Sequence, residues 1–178
     1  MISVYLRNKE INPSCYYRVT QYLEELSSEI YVRNLNSDWL YNISLNSSNK
    51  IVKKIIQAIL FMQIHVRFLK WSISDIRNKN VIFVQREIFP KLCMWPCRLL
   101  LEKLYVNNRV IWDVDDNIIY NGEISQYEYS LLLQNASDII VTSANLSNKI
   151  LENAQGKIHK IPTTDGTIYK HVSEEIIH

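Results

Sequence analysis

Apolar and polar positions along this chain alternate between two rhythms almost from end to end. Short apolar runs of strand length recur at Ile2-Ser3-Val4-Tyr5-Leu6, Ile30 to Leu35, Val81-Ile82-Phe83-Val84, Arg109-Val110-Ile111-Trp112, Asp138 to Thr142 and Lys157 to Ile161. The run Val81 to Val84 has no polar residue, as in strands buried on both faces of a parallel sheet. Between these runs the apolar residues take helical spacing. Ser14 is placed to cap a helix through Tyr17, Val19, Tyr22, Leu23 and Leu26. Further helices are predicted over Lys50 to Trp71, Phe89 to Val106, Glu123 to Asn135 and Ala144 to Asn153, with Asn36 to Asn49 read as a polar connection. Pro162 and Gly166 end the alternation.

Strand and helix in this order and at this spacing predict right-handed βαβ units and a mostly parallel sheet flanked by helices. In such sheets ligands sit beyond the carboxyl ends of the strands. The residues to examine are therefore Arg7 to Tyr17, Gln85-Arg86-Glu87, Asp113 to Asn117, Thr142-Ser143 and Thr163 to Gly166. A chain of 178 residues fits one domain, and at 47% hydrophobic and 21% charged it has the make-up of an ordinary globular protein.

Charge and special residues narrow the chemistry. A net charge of +2 and a pI near 8.4 are too mild for a nucleic-acid partner. The only glycines are Gly122, Gly156 and Gly166, so the first strand-to-helix turn, Asn12 to Arg18, is neither a Walker loop nor a dinucleotide fingerprint. Met1 leads straight into the first strand without a secretory pattern, which predicts reduced, buried thiols for Cys15, Cys93 and Cys97. His65 reads as packing, His159 lies in a strand and His171 in the tail, so no hydrolase or paired-His metal arrangement presents itself.

The densest chemistry is Asp113-Val114-Asp115-Asp116. Carboxylates crowded at a strand end need a cation, amide donors or sugar hydroxyls to offset their repulsion. In the plainest reading Asp116 or Asn117 caps the next turn while Asp113 faces solvent. Arg86, after the buried third run, reaches either a phosphate or this acidic cluster as a brace between strand tips. Tyr16 and Tyr17 read as packing residues. The helix Lys50 to Trp71 begins amphipathic and becomes apolar nearly all round, which leaves both core burial and docking on a membrane open; its charges exclude a span.

The chain resembles the N-terminal domain of glycosyltransferase family 4-like enzymes. The resemblance rests on ordered motifs: Pro13-Ser14-x-Tyr16-Tyr17-Arg18, Val81-Ile82-Phe83-Val84-Gln85-Arg86, Val110-Ile111-Trp112-Asp113-Val114-Asp115-Asp116, Ala136 to Ser143, and Lys160-Ile161-Pro162-Thr163-Thr164. It implies one Rossmann-like half of a two-domain GT-B enzyme: an acceptor-side domain over 1–165, a linker or frayed tail over 166–178, and a donor-binding C-terminal domain absent from the chain. The isolated chain would then be inactive. The implied activity is transfer from a nucleotide-sugar to a glycan or lipid-linked acceptor in bacterial surface-polysaccharide synthesis, in the cytoplasm or at the inner face of the membrane, without metal or other cofactor. Asp115 and Asp116 are the implied catalytic-side contacts, with Ser14, Tyr17, Arg18, Gln85, Arg86, Asp113, Thr142 and Ser143 as acceptor or sugar contacts. Many relatives have a His-Asp pair where Asp115-Asp116 stands, and glycines where this chain has Asn12-Pro13-Ser14.

Two other readings compete. Asp113-x-Asp115 is also the kind of pair that holds a divalent cation in a single-domain GT-A glycosyltransferase. Alternatively the chain is a non-catalytic Rossmann-like binding or partner module, since fold alone does not fix function.

Overall fold

The structure, a computed structural model, describes residues 1–23, 29–116, 118, 121–151 and 153–163. Six strands form one sheet: β1 (Ile2–Leu6), β2 (Ile30–Asn34), β3 (Val81–Gln85), β4 (Val110–Val114), β5 (Ala136–Val141) and β6 (Lys157–Lys160). Their order is β2-β1-β3-β4-β5-β6 and every pairing is parallel. The helices are α1 (Pro13–Arg18), α2 (Asp38–Asn46), α3 (Lys50–Asn78), α4 (Trp95–Asn107), α5 (Gln126–Asn135) and α6 (Ala144–Leu151), with a short 3-10 turn at Thr20–Tyr22. This is a Rossmann-like α/β arrangement.

The two sheet faces are clad unequally. Val4, Leu6 and Phe83 meet Cys15 and Val19 of the α1 region. The residues between them in register, Tyr5, Ile82 and Val84, join Trp112, Ile139 and Val141 in the main core beneath α3 to α6. Right-handed crossovers require this division: α1 leads leftward from β1 to β2, whereas the later helices lead rightward. The sheet order reverses between β1 and β3, and the carboxyl-end crevice at that point is where doubly wound folds place ligands.

Several elements differ from the sequence expectation. Asn12, not Ser14, caps α1, its side chain accepting from the Ser14 amide at 3.0 Å with Pro13 opening the helix. Ser14 thus keeps its hydroxyl free for the strand ends. The helix closes at Arg18, and Leu26 lies outside the described residues, as do Thr164 to His178. The stretch Asn36 to Asn49 contains α2, whose Leu40 packs on Ile56 and Leu60 of α3. Its many Asn and Ser residues hide it, because tertiary packing outweighs weak propensity. Helix α4 starts at Trp95, with Pro96 in its first turn, rather than at Phe89. The Ile88 and Phe89 amides instead donate to the buried Glu128 carboxylate at 2.7 and 2.9 Å.

Helix α3 runs on to Asn78, past Trp71. Asn49 caps its start, accepting from the Ile51 amide at 2.9 Å, and Lys79 closes it at φ 50°. Its continuation serves a buried polar knot. Asp75 accepts from Ser3 Oγ at 2.8 Å, Tyr5 Oη at 2.7 Å, Arg33 Nη2 at 2.7 Å and Asn80 Nδ2 at 3.0 Å. Burial alone would raise the Asp75 pKa, but Arg33 and the two hydroxyls overcome it and hold the pKa below the ordinary range. With 29 residues α3 is about 43 Å long, against about 17 Å for a five-residue strand. Ile64 and Phe68 meet the sheet core, while the first turns pack on α2 and overhang the carboxyl edge.

Candidate functional site

Four strand ends deliver polar side chains to the crevice between β1 and β3 and to its neighbours. From the segment after β1 comes Arg7, whose Nη1 pairs with Glu87 Oε1 at 2.5 Å across the point where the sheet order reverses. Glu87 is fully buried, and desolvation outweighs Arg7 and Arg86 to raise its pKa. Arg86, at φ 64°, is held in the left-handed region with its carbonyl accepting from Trp112 Nε1 at 2.7 Å. Its guanidinium meets Glu123 in a close ion pair, Asp116 at 3.5 Å, Glu87 at 3.6 Å and Asp115 at 3.9 Å. The brace between strand tips foreseen for Arg86 is present.

Beside it lies a second network. Ser14 Oγ donates to Asp115 and accepts from Gln85 Nε2 at 2.6 Å, while Cys15 Sγ donates to Gln85 Oε1 at 3.1 Å. Thr142 Oγ1 donates to the Asp115 carbonyl at 2.9 Å, tying the β5 end to the same loop.

Asp113 does not face solvent. Strand β4 extends through Val114, so Asp113 lies within it, buried, and both its oxygens are engaged by the Arg18 guanidinium, with Nε to Oδ2 at 2.6 Å. Burial works against the Arg18 charge, but Asp113 more than offsets it and the Arg18 pKa rises. Arg18 Nη1 also reaches Thr163 Oγ1 at 2.9 Å. This pair floors a cavity of about 220 Å3 that Tyr17, Phe83 and Ile140 help to line. Tyr16 and Tyr17 are not packing residues: each is about two-fifths exposed, and their rings meet edge to face at 5.3 Å.

The structure therefore gathers Ser14, Gln85, Arg86, Asp115 and Asp116 at one place, with Tyr17, Arg18 and Asp113 alongside. Thr142 acts through the backbone. Ser143 stands apart, its hydroxyl accepting from the Leu146 amide at the start of α6. Arg7, Glu87 and Glu123 belong to the site; Arg7 and Glu87 lie in the strand-end stretches marked for attention but were not named as contacts, and Glu123 lies outside those stretches. Position at a strand end was the local sign for Arg7 and Glu87, but their pairing spans 80 residues and that of Glu123 with Arg86 spans 37.

Arg7, Arg18 and Arg86 face Glu87, Asp113, Asp115, Asp116 and Glu123, so carboxylates outnumber guanidiniums. Two of the carboxylate oxygens, Glu87 Oε2 and Asp115 Oδ1, are buried and face Arg86 Nε at 3.6 and 3.9 Å, beyond hydrogen-bond length. Among the described residues no group of three or more His, Cys, Asp or Glu side chains is arranged to hold a metal ion. No protein-family model, curated protein or solved structure matches the chain.

The helix Lys50 to Trp71 is divided lengthwise. Ile56, Leu60, Ile64, His65 and Phe68 are buried, whereas Ile51, Ile55, Ile59, Met62 and Val66 are exposed. From Trp39 to Ser74 the chain has no Asp or Glu, and it carries Lys50, Lys53, Lys54, Arg67 and Lys70. Among the described residues no helix is long and apolar enough to cross a membrane.

Proposed function

We propose that this chain is the acceptor-side half of a two-domain glycosyltransferase, binding a sugar acceptor at the crevice between β1, β3 and β4. The observation that carries this reading is Asp115 beside the Rossmann-like switch point, a carboxylate whose Oδ1 receives no hydrogen bond and meets Arg86 Nε only at 3.9 Å. Sugar hydroxyls donate to such oxygens without adding charge, and an unsatisfied buried acceptor is costly to leave alone. Arg86 holds the Asp115 and Asp116 carboxylates in place, and Gln85 Nε2 fixes Ser14 beside Asp115. The role of the chain is then positioning and electrostatic support, with Asp115 and Asp116 nearest the sugar and the nucleotide-sugar held by a separate domain.

The partner set follows: a glycan or lipid-linked acceptor, a donor-binding domain, and an anionic membrane surface against the exposed apolar face of α3, whose flanking charges are basic. The metal-dependent single-domain alternative needs Asp113 and Asp115 both free, and Asp113 is committed to Arg18.

Saturation-transfer NMR with mono- and disaccharides, beside calorimetry with UDP-, GDP- and ADP-sugars with and without manganese, tests the reading. Sugar binding that Asp115→Asn weakens, together with weak and metal-independent nucleotide-sugar binding, is the expected result. Tight nucleotide-sugar binding that requires manganese would overturn it.

A further inference from the structure

The overhang of α2 and α3 encloses a second space. Along its inner side runs a cavity of about 470 Å3, within the range of roughly 300–1,000 Å3 of small-molecule sites. Through Arg7, Tyr41 and Leu45 it joins a cavity of about 350 Å3 that reaches Arg86 and Glu123. Its lining is divided by chemistry. Leu60, Phe61, Ile64 and Pro90 supply an apolar surface, Arg7, Lys53 and Lys91 supply cations, and no carboxylate lines it.

Arg7 is paired with Glu87, but neither Lys53 nor Lys91 has an ion-pair partner among the described residues. Lys91 is held at φ 65°, between the bridge that pairs Pro90 with Ile124 and the bond from its amide to the Glu123 carbonyl. Asn36, 2% exposed, lines the same cavity, its Nδ2 donating to Asn8 Oδ1 at 3.4 Å. Two cations without ion-pair partners and an apolar wall together ask for a ligand with negative oxygens and a hydrocarbon portion. A phosphate monoester on an alkyl chain has both.

We propose that this groove binds a phosphorylated amphiphile, with the phosphate at Lys53 and Lys91 beside Arg7 and the chain along Leu60, Phe61 and Ile64. The order along the joined cavities is then polar at Arg86 and Glu123, cationic at the middle and apolar under the overhang. The proposal rests on the acceptor-side reading for its biological sense; the binding is measured without any sugar, so the two fail separately.

Calorimetric titration of the chain with dodecyl phosphate, kept below its micelle concentration, is the test, with dodecyl maltoside and inorganic phosphate as comparison ligands. One saturable site for dodecyl phosphate is expected, with dodecyl maltoside at least about tenfold weaker. Lys53→Glu with Lys91→Glu should weaken dodecyl phosphate about tenfold or more, as reversal of two charge-assisted contacts requires. Leu45→Glu, at an exposed position on the shared mouth, should also weaken it, and Lys103→Glu on the outer face of α4 should leave it unchanged. Lys91→Glu alone carries the comparison if the double variant melts at a lower temperature than the parent. Equal affinity for dodecyl maltoside, or indifference to Lys91→Glu, overturns the proposal. Displacement of dodecyl phosphate by equimolar inorganic phosphate overturns it in favour of a free-anion site.

Discussion

Replacing Asp75 by Asn tests whether the knot beneath the amino ends of the strands holds the sheet to α3. The side chain is fully buried and accepts from Ser3, Tyr5, Arg33 and Asn80, so it joins β1, β2 and the entry to β3 through one carboxylate. The amide keeps the volume but removes the charge opposite Arg33 and turns an NH2 toward groups that donate. Leaving one buried donor unsatisfied costs about 1–3 kcal/mol, and breaking a buried ion pair about 3–5 kcal/mol. The Arg33 side chain is 15% exposed and can still meet water, so a loss of about 2–4 kcal/mol is expected. At about 2–4 °C per kcal/mol for a chain of this size, the melting temperature should fall by roughly 4–16 °C.

The pH dependence gives a second readout. The folded Asp75 pKa lies below its unfolded value, so the stability it contributes is complete above the unfolded pKa near about 4 and is lost as pH falls through the folded value. The gap between parent and variant in urea unfolding should therefore be full at pH 7 and shrink below about pH 4. A variant within about 0.5 kcal/mol of the parent at pH 7, or a gap that stays constant with pH, would refute the assignment of the knot as a structural clamp.

Three other perturbations probe separate features. Arg18→Leu leaves the buried Asp113 carboxylate unpaired and should cost about 3–5 kcal/mol in denaturant unfolding, with much of the loss recovered by adding Asp113→Asn. Burial raises the Glu128 pKa to about 8, so the folded chain keeps a proton that the unfolded chain loses near about pH 4.3. Stability should fall as pH rises between those values, by as much as about 1.4 kcal/mol per pH unit, and Glu128→Gln should remove that slope in melts at pH 5 to 8. Gly156→Ala would set a Cβ 2.1 Å from the Ala136 carbonyl oxygen, which cannot retreat without disturbing the start of β5; thermal melts should show a loss of at least about 2 kcal/mol.

The strands were legible because each is a short apolar run between helical patterns, and parallel order follows from that alternation and the handedness of crossovers. Helix α2 was not, because Asn and Ser crowd the stretch around it and only Leu40 and Ser44 within it become buried. Asp113 was misplaced because a charged residue ends an apolar run on paper, yet in the sheet Arg18 allows β4 to carry it inward. Local sequence located Ser14, Gln85, Arg86 and Asp115 since strand ends are where ligand groups gather. It could not reveal that Arg7 would cross to Glu87, or that Glu123 would meet Arg86, because those pairs depend on which strands become neighbours.

The unequal cladding of the sheet has a mechanical consequence. Along β4, Val110, Trp112 and Val114 are clamped beneath α3 to α6, whereas Asp113 points to the side that α1 covers. One strand therefore has a stiff side and a compliant side. The polar groups on the compliant side rest on the short α1 segment, while the aromatic core behind them is held by four helices. Backbone amides of β3 and β4 should accordingly be among the last to exchange with deuterium, and those of the edge strand β6 among the first.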